Sequence, residues 1–209
     1  MNDVYIDHVI VGIADLEEGV RRFAELTGVT AEHGGQHPGR GTQNALLSLG
    51  APTYLEIIAP VEGPPPQMEL LSGLKELAPV GWAIGTKDLD ATKARLEAAG
   101  FKVSPPREGS RVRPDGQRLE WRTAGIEGPP GLMPFLIEWG ASTRQPATTS
   151  PEGCTLESME IQAPQSESLA RLVSELRLGA TVRESSEQSM TITLACPAGR
   201  VILSSPKQP

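Results

Sequence analysis

The stretch Val4-Tyr-Ile-Asp-His-Val-Ile-Val-Gly12, followed by Asp15-Leu-Glu-Glu-Gly-Val-Arg-Arg-Phe-Ala-Glu-Leu-Thr-Gly28, decides the fold of this 209-residue chain. Its first part is rich in β-branched residues and predicts a strand. Its second part predicts a helix that Asp15 caps and Gly28 ends. Apolar residues recur along this helix at helical spacing, at Leu16, Val20, Phe23 and Leu26. A strand is therefore expected to run straight into an amphipathic helix.

The residues that follow predict three more strands. Residues 44–49 and 54–59 are short apolar stretches, and Gly50-Ala-Pro52 separates them with a turn. Residues 30–40 are polar and rich in glycine, and they must contain one further strand if the unit has the order βαβββ. The sequence thus predicts a first βαβββ module over residues 1–62.

The same order of elements begins again after this module, where Asp88-Leu89 repeats Asp15-Leu16 and Gly100 predicts the end of the helix. A hairpin with its turn at Pro114-Asp-Gly116 follows. The elements of this second copy are predicted at residues 80–85 (strand), 89–99 (helix), 111–113 and 119–121 (hairpin) and 135–139 (strand). They define a second module over residues 78–141, and the two modules together form a predicted domain over residues 1–143.

A third copy is predicted over residues 152–209, and Gly179 is expected to end its helix. Its elements are predicted at residues 155–163 (strand), 168–176 (helix), 190–195 and 201–205 (strands). Residues 63–67 and 144–152 are the predicted linkers. The alternative is an α+β protein whose strands and helices merely follow one another, but three matching orders favour an internal repeat.

The composition limits the function. The formal net charge of −7 argues against nucleic-acid binding, because phosphate groups are bound by clustered Lys and Arg. Cys154 and Cys196 form no Cys-x-x-Cys pair, so neither a disulfide framework nor a structural zinc site is predicted, and a reducing compartment fits best. The sequence shows no secretion signal and no membrane-spanning stretch. We therefore expect a cytoplasmic protein with neither a membrane nor a nucleic acid as partner.

Several segments, in order along the chain, resemble the glyoxalase-like branch of the vicinal oxygen chelate superfamily, the glyoxalase/bleomycin resistance/extradiol dioxygenase type. They are Ile6-Asp-His-Val-Ile-Val-Gly12, His37-Pro-Gly-Arg-Gly-Thr-Gln-Asn44, Tyr54-Leu-Glu-Ile-Ile-Ala-Pro60 and Pro134-Phe-Leu-Ile-Glu-Trp139. The resemblance covers the first two modules. It implies that their sheets curl into an open barrel with the functional cleft between them. The third, related module at the C-terminal end of this α+β chain is predicted only from the repeat pattern.

In that superfamily a divalent metal is held by one residue from the first and the last strand of each module. The resemblance places these positions at His8, Glu56, Trp82 and Glu138. Trp82 departs from the pattern, because its indole nitrogen has no lone pair to offer a cation. Counting back strictly from Asp88 puts Gly81 there instead, which has no donor either. The resemblance thus implies His8, Glu56 and Glu138 as metal ligands.

One imidazole and two carboxylates suit zinc, manganese, nickel, iron or cobalt, and they leave positions open for substrate oxygens. Such an ion would polarise a carbonyl or stabilise an enediolate while a glutamate moves a proton, and Glu138 is the candidate catalytic base. The alternative is structural, since a His at a strand start and a Glu on an edge strand are often surface residues or residues with ordinary partners.

Residues of the polar loop in module one form a second candidate group, expected to bind substrate. His37 is an alternative ligand or acid, Arg40 is a partner for an anionic substrate group, and Asn44 follows directly after the loop. The alternative interpretation is a solvent-exposed, glycine-rich connection.

Trp82 and Trp121, with Trp139, are expected to wall an apolar pocket, although aromatic residues on strands more often belong to a core. A basic hairpin could attract an acidic ligand, but a solvated face is the favoured interpretation. Its arginines are Arg111, Arg113, Arg118 and Arg122.

Three functional hypotheses remain open. The first and favoured one is a metal-dependent lyase, isomerase or ring-cleaving enzyme acting on a small oxygenated molecule in the cleft. The second is a metal-free small-molecule binding or sequestration protein of the same fold. The third is an interaction role, in which the third module pairs with its copy in a homodimer, and this role is compatible with either of the others.

Overall fold

The computed structural model describes residues 3–37, 39–61, 69–113, 116–129 and 131–206, without the side chains of residues 69 and 70. The predicted linker at residues 63–67 and the turn residues Pro114 and Asp115 lie outside the described residues. Strands and helices alternate in the order expected for an α+β protein, which confirms the predicted fold class. Across the described ranges, no helix has the length and apolar character that a membrane span requires.

Module one has the predicted βαβββ order. Its elements are β1 (Val4–Gly12), α1 (Leu16–Thr27), β2 (Glu32–His37), β3 (Thr42–Ser48) and β4 (Tyr54–Pro60). The Asp15 carboxylate caps α1 by accepting a hydrogen bond of 2.8 Å from the Glu18 backbone N–H. Gly28 ends the helix with a left-handed φ of 78°. Leu26 is 48% exposed and does not join the buried face that the other predicted apolar positions form.

Module two repeats this order after the short helix α2 (Glu69–Ser72). Its elements are β5 (Ala78–Thr86), α3 (Leu89–Ala98), β6 (Arg107–Val112), β7 (Arg118–Gly125) and β8 (Phe135–Trp139). Asp88 caps α3 by accepting from the Ala91 backbone N–H at 2.8 Å, and Gly100 follows the helix with a φ of 87°. The repeated Asp-Leu pair therefore marks the same helix start in both modules.

The first two modules share one eight-stranded sheet with the order β2-β3-β4-β1-β5-β8-β7-β6. They meet where β1 pairs with β5 in antiparallel fashion, and in each module the first strand pairs in parallel with the last. The edge strands approach each other, because Arg111 of β6 donates to the Gly34 carbonyl of β2 and Arg113 donates to Glu32. The sheet is thus rolled into a nearly closed barrel, and the predicted barrel architecture is confirmed.

Module three consists of β9 (Thr155–Ala163), α4 (Glu167–Leu176), β10 (Thr181–Glu184), β11 (Ser189–Cys196) and β12 (Gly199–Ser204). Its element order repeats the first two modules, but its strands pair differently, in the order β10-β9-β11-β12. The first strand, β9, pairs with two strands of its own module, whereas β1 pairs only with β4 within module one. The helix ends at Leu176 as predicted, but the residue that terminates it is Arg177 and not Gly179. Arg177 takes a left-handed φ of 54° and donates its backbone N–H to the carbonyls of Val173 and Ser174.

The third module packs on the side of the barrel that carries the helices. One hydrophobic core contains Phe23 of α1, Trp82 of β5 and Met159 of β9. At its edge, Arg171 of α4 donates to the Ala99 carbonyl and lies over the Phe101 ring. The inside of the barrel is left for the cleft.

A disulfide joins Cys154 and Cys196, whose Cα atoms are 4.3 Å apart. The expectation that the two cysteines would not pair is therefore wrong. Sequence spacing could not reveal the pair, because it is the antiparallel pairing of β9 with β11, with Ala195 opposite Thr155, that brings the two residues together.

Reduction of this disulfide is expected to lower the free energy of unfolding by about 4 kcal/mol, the chain-entropy value for a loop of this size. The two cysteines lie 42 positions apart. Urea unfolding with and without dithiothreitol measures the effect, and a Cys154→Ala/Cys196→Ala variant should not respond to the reductant. Two titratable thiols in protein unfolded without reductant would contradict the pairing.

Candidate functional site

Alternation along the strands directs one row of side chains into the barrel. This row lines a cleft of about 330 Å³. The apolar walls of the cleft include Ile10, Ile58, Leu71, Val80, Phe135 and Ile137. Its polar residues include His8, His37, Asn44, Glu56 and Arg111. Charged and hydrogen-bonding groups are thus gathered at one place in an otherwise apolar hollow.

Glu56 of β4 lies at the centre of the polar group and is only 6% exposed. Asn44 of β3 donates a hydrogen bond of 2.5 Å from Nδ2 to Oε1 of the carboxylate. The Nε2 atom of His37 lies 3.5 Å from the same oxygen, and the Nε2 atom of His8 lies 3.7 Å from Oε2. Two imidazoles therefore flank one buried carboxylate.

Asp7 holds the ring of His8 at Nδ1, the nitrogen that faces away from Glu56. The Nδ1 atom of His8 lies 2.7 Å from Oδ1 of Asp7, and Trp139 donates from its indole N–H to Oδ2 at 2.9 Å. Neighbours along a strand ordinarily face opposite ways, but the β1–β5 register shifts between Ile6 and His8, and this irregularity lets Asp7 and His8 meet. The His8 ring also stacks on Tyr54 with centroids 4.6 Å apart.

His37, at the end of β2, is oriented by two residues of β3. Its Nδ1 atom lies 2.9 Å from the Thr42 hydroxyl, and its Nε2 atom lies 3.3 Å from Nδ2 of Asn44. Because the Asn44 amide can only donate there, Nε2 of His37 carries a lone pair and Nδ1 carries the hydrogen. The expectation that His37 and Asn44 lie at the cleft agrees with this placement.

When His8 is neutral, three hydrogen-bond acceptors converge with no hydrogen between them. Nε2 of His37 has a lone pair, and Nε2 of a neutral His8 has one too, because Nδ1 donates to Asp7. Both nitrogens face the Glu56 carboxylate. Such a group of acceptors attracts a proton, a hydrogen-bond donor of a ligand, or a cation, and this is the main chemical property of the cleft.

Burial is the largest influence on Glu56 and acts to raise the pKa of its carboxyl. His37 and His8 act in the opposite direction when they are protonated, as do the hydrogen bond from Asn44 and the charge of Arg111. Together they hold the pKa of Glu56 below its ordinary value of 4.5. Glu56 is therefore an ionised carboxylate at neutral pH.

Burial is also the largest influence on His37, and it lowers the pKa of the imidazole below 6.5. The nearby Glu56 carboxylate acts to raise the pKa, whereas Arg111, Arg40 and His8 lower it further. His37 is therefore neutral at neutral pH, and its Nε2 atom is available to accept a proton.

Arg40, Arg111 and Trp121 complete the cleft. Arg111 is only 5% exposed, so the expected solvated hairpin face is wrong for this residue. Its hairpin neighbour Arg113 is buried as well, outside the cleft. Both are enclosed because β6 closes the barrel against β2. Arg40 and Trp121 line the cleft as expected, and Arg40 is exposed at its opening.

Glu138 does not reach the other candidate ligands. Its Oε1 atom accepts from the Leu89 backbone N–H at 3.3 Å, and its Oε2 atom accepts from Arg122 at 3.0 Å. The physical reason is strand alternation, since Ile137 and Trp139 of β8 line the cleft and the residue between them points the other way. The structure thus separates Glu138 from His8 and Glu56, against the expectation of a common point.

Trp82 is also outside the cleft. It is 1% exposed, lies opposite Val9 on the helix-bearing side of the sheet, and donates its indole N–H to the Leu132 carbonyl at 2.7 Å. Gly81 is the residue opposite Ile10, so strict counting from Asp88 gives the correct face. The expectation that Trp82 contacts substrate is therefore corrected, and the residue belongs to the core.

The register also identifies the module-two counterparts of the presumed metal positions. Gly81 stands as far ahead of Asp88 as His8 stands ahead of Asp15, and Phe135 pairs with β5 as Glu56 pairs with β1. Neither glycine nor phenylalanine has a donor atom in its side chain, so the four-ligand arrangement does not fit. In the part of the chain that the structure describes, no three His, Cys, Asp or Glu side chains are placed to hold a metal ion.

Sequence reasoning missed Asp7 as a site residue and gave Trp139 only a wall-forming role. The signal for Asp7 was its position directly before His8, but alternation argues that the two side chains diverge. The strand irregularity that brings them together has no signature in the sequence.

Solved structures of other proteins are similar to this chain to different degrees. A hypothetical protein from Staphylococcus aureus has a TM-score of 0.65 at 15% identity, covering 98% of this chain and 88% of that one. One from Bacillus halodurans has a TM-score of 0.51 at 13% identity, covering 68% and 98%. Methylmalonyl-CoA epimerase from Mycobacterium tuberculosis has a TM-score of 0.48 at 23% identity, covering 64% and 86%. No curated protein matches the sequence.

The glyoxalase-like domain family matches residues 6–177. The chain therefore belongs to this family, and the predicted glyoxalase-like relationship is confirmed. The match extends beyond the first two modules into α4.

The lowered pKa values predict how stability depends on pH. Below pH 6.5 an unfolded His37 binds a proton that the folded residue resists, so the free energy of unfolding falls as the pH falls. Below pH 4.5 Glu56 acts in the same direction, because its carboxyl is protonated more readily in the unfolded chain. Urea unfolding over this pH range should show a shallower decline for His37→Gln than for the unsubstituted protein.

The matched control is His33→Gln, because the His33 side chain is 47% exposed and lies outside the cleft. Its pH profile should match that of the unsubstituted protein. An unchanged decline in the His37 variant would show that burial does not depress the basicity of this imidazole.

Proposed function

We propose that this glyoxalase-like protein is an isomerase or lyase that moves a proton on a small oxygenated anion bound in the cleft. The observation that carries the proposal is the convergence of the Nε2 atoms of His8 and His37 on the ionised Glu56 carboxylate. Side chains with perturbed pKa values, grouped in an otherwise apolar cleft, are characteristic of sites for proton transfer.

The substrate class follows from the lining of the cleft. Arg40 is exposed at its opening and Arg111 is buried within it, so a carboxylate or another anionic group is favoured. Phe135, Ile137 and Trp121 provide an apolar wall for the remainder of the molecule. A cleft of about 330 Å³ suits a compact ligand such as a short oxo or hydroxy acid.

His8 is the proposed general base. Its Nε2 atom takes a proton from a carbon next to a carbonyl group, and the electron pair of that C–H bond moves onto the carbonyl oxygen to form an enolate. The imidazolium that results lies between the carboxylates of Asp7 and Glu56, which stabilise its charge, while Arg111 stabilises the enolate. Return of the proton to the opposite face of the same carbon completes an isomerisation at that centre. In the lyase reaction the enolate re-forms the carbonyl group, its electron pair forms a C=C bond, and a leaving group departs from the next carbon with its bonding electrons.

Proton exchange provides the test of this proposal. A panel of 2-oxo and 2-hydroxy acids is incubated with the protein in D₂O. Proton NMR follows the loss of the signal of the hydrogen on C3 of each oxo acid and on C2 of each hydroxy acid. His8→Gln and Glu56→Gln should each slow the exchange about 100-fold or more, the usual contribution of a positioned acid or base.

Glu138→Gln is the matched control, because it makes the same chemical change outside the cleft and should leave exchange unaltered. Fluorescence of Trp121 and Trp139 reports binding to the same preparations. Binding without exchange in the unsubstituted protein would favour the metal-free sequestration role over the enzyme, and equal losses in the Glu56 and Glu138 variants would refute the assigned site.

Metal dependence is a second candidate, favoured by the three acceptor groups that face one another. As they stand, no three His, Cys, Asp or Glu side chains among the described residues are placed to hold a metal ion. His8, His37 and Glu56 would therefore have to draw together to hold a divalent cation, and a bound ion would supply Lewis-acid polarisation of a substrate carbonyl. This set lies wholly in module one and lacks the contribution from module two that the superfamily pattern implies. For that reason no step of the proposed reaction depends on a metal.

Elemental analysis and thermal unfolding with added zinc, manganese, nickel, cobalt or iron distinguish the candidates. A metal-dependent protein would show a higher Tm with the ion, and Glu138→Gln would retain the increase while His8→Gln and Glu56→Gln would lose it. Protein purified without metal whose Tm responds to none of these ions would eliminate this candidate.

Homodimer formation through the third module and a cytoplasmic location both stay predictions. The third module already buries Met159 and Ile161 against the other two. In a homodimer, the second copy would contact the edge strands β10 and β12 and the exposed Ile202 of this module. In a reducing compartment the Cys154–Cys196 pair would be subject to reduction, so its redox state in cells bears on the location.

A further inference from the structure

Three side chains from two strands form a hydrogen-bonded chain that ends at the cleft. Trp139 of β8 donates its indole N–H to Oδ2 of Asp7 at 2.9 Å, and Oδ1 of Asp7 lies 2.7 Å from Nδ1 of His8. Nε2 of His8 then faces Glu56 at 3.7 Å. Asp7 itself makes no part of the cleft lining, and it is 1% exposed.

We infer that Asp7 is a positioning residue which, oriented by Trp139, fixes the tautomer of His8. An ionised carboxylate can only accept hydrogen bonds, so the ring hydrogen of a neutral His8 must lie on Nδ1 and the lone pair on Nε2. The indole N–H can only donate, so it always holds an oxygen of residue 7. The Asp7 carboxylate therefore sets the direction of the hydrogen-bonded chain, and Trp139 holds one of its two oxygens in place.

The orientation of the His8 ring is fixed separately from its tautomer. The ring stacks on Tyr54, and Phe135 meets it edge-on with centroids 5.6 Å apart. Packing thus holds the plane of the imidazole, while Asp7 decides which nitrogen carries the hydrogen. The catalytic consequence rests on the proposed function, because a general base needs the lone pair on the nitrogen that faces substrate, but the tautomer itself can be measured without any substrate.

Asp7→Asn tests the inference with almost no change in shape. The amide has one accepting oxygen and one donating nitrogen. Because Trp139 attracts the oxygen, the NH₂ group must face Nδ1 of His8, which then carries the lone pair. The hydrogen is transferred to Nε2, the change of tautomer expected when Asn replaces Asp behind a catalytic His.

Nitrogen NMR of protein labelled with ¹⁵N-histidine reads the tautomer directly. The chain has three histidines, so three pairs of ring signals are expected. His33→Gln and His37→Gln identify two of the pairs, and the remaining pair belongs to His8. The couplings to the carbon-bound ring protons distinguish Nδ1 from Nε2. Spectra are recorded at increasing pH until the shifts stop changing, so that only neutral rings are compared.

The unsubstituted protein should show the unprotonated nitrogen of His8 at Nε2, and Asp7→Asn should move it to Nδ1. Trp139→Phe alone should leave it at Nε2, because the carboxylate still only accepts. In Asp7→Asn/Trp139→Phe the amide is free to turn, and a mixture of the two tautomers is expected. Trp121→Phe is the matched control and should change nothing, since no hydrogen bond joins Trp121 to Asp7 among the described contacts.

An unprotonated Nδ1 in the unsubstituted protein, or an unchanged ring in Asp7→Asn, would overturn the role of Asp7. A double variant that keeps the tautomer of Asp7→Asn entirely would overturn the role of Trp139. These outcomes are independent of proton exchange on any substrate. A protein with the expected tautomers but no exchange would contradict the proposed function and leave this inference standing.

Discussion

The site depends on keeping one carboxylate ionised inside a largely apolar barrel. Burial alone would drive the Glu56 carboxyl toward its neutral form, and the charges and hydrogen bonds around it reverse that preference. Those partners come from β1, β2, β3 and β6, so the barrel must be closed before the carboxylate is fully stabilised. The ionised state of Glu56 therefore depends on the closure of the sheet into a barrel.

Much of the fold could be predicted from the sequence, because each element carries a local signal. The β-branched run of β1, the Asp-Leu helix starts and the glycine helix ends gave the first two modules, and the hidden strand β2 followed from the repeat. The structure gathers four residues that the sequence analysis names as candidates, His8, His37, Asn44 and Glu56, at one cleft, and their roles there stay predictions. The inferences about the fold succeeded because they concern short-range preferences and a repeated order of elements.

The inferences that failed concern strand register. Glu138 lies three positions beyond Phe135, the counterpart of Glu56, and Trp82 lies one position beyond Gly81, the counterpart of His8. An odd number of positions moves a side chain to the opposite face of the sheet. Asp7 was missed for the converse reason, since a strand irregularity brings it round to its neighbour. The burial of Arg111 and the pairing of Cys154 with Cys196 depend on contacts between distant strands, which no local pattern encodes.

The two halves of the barrel are chemically unequal. His8, His37, Asn44 and Glu56 all belong to module one, whereas module two contributes Arg111, Trp139 and an aromatic and aliphatic surface that includes Trp121, Phe135 and Ile137. Of the module-two residues, Arg111 and Trp139 are tied to the polar group of module one. Substitution of the others would change the bulk and shape of the molecule that is accepted and would leave the proton-handling groups across the β1–β5 seam intact.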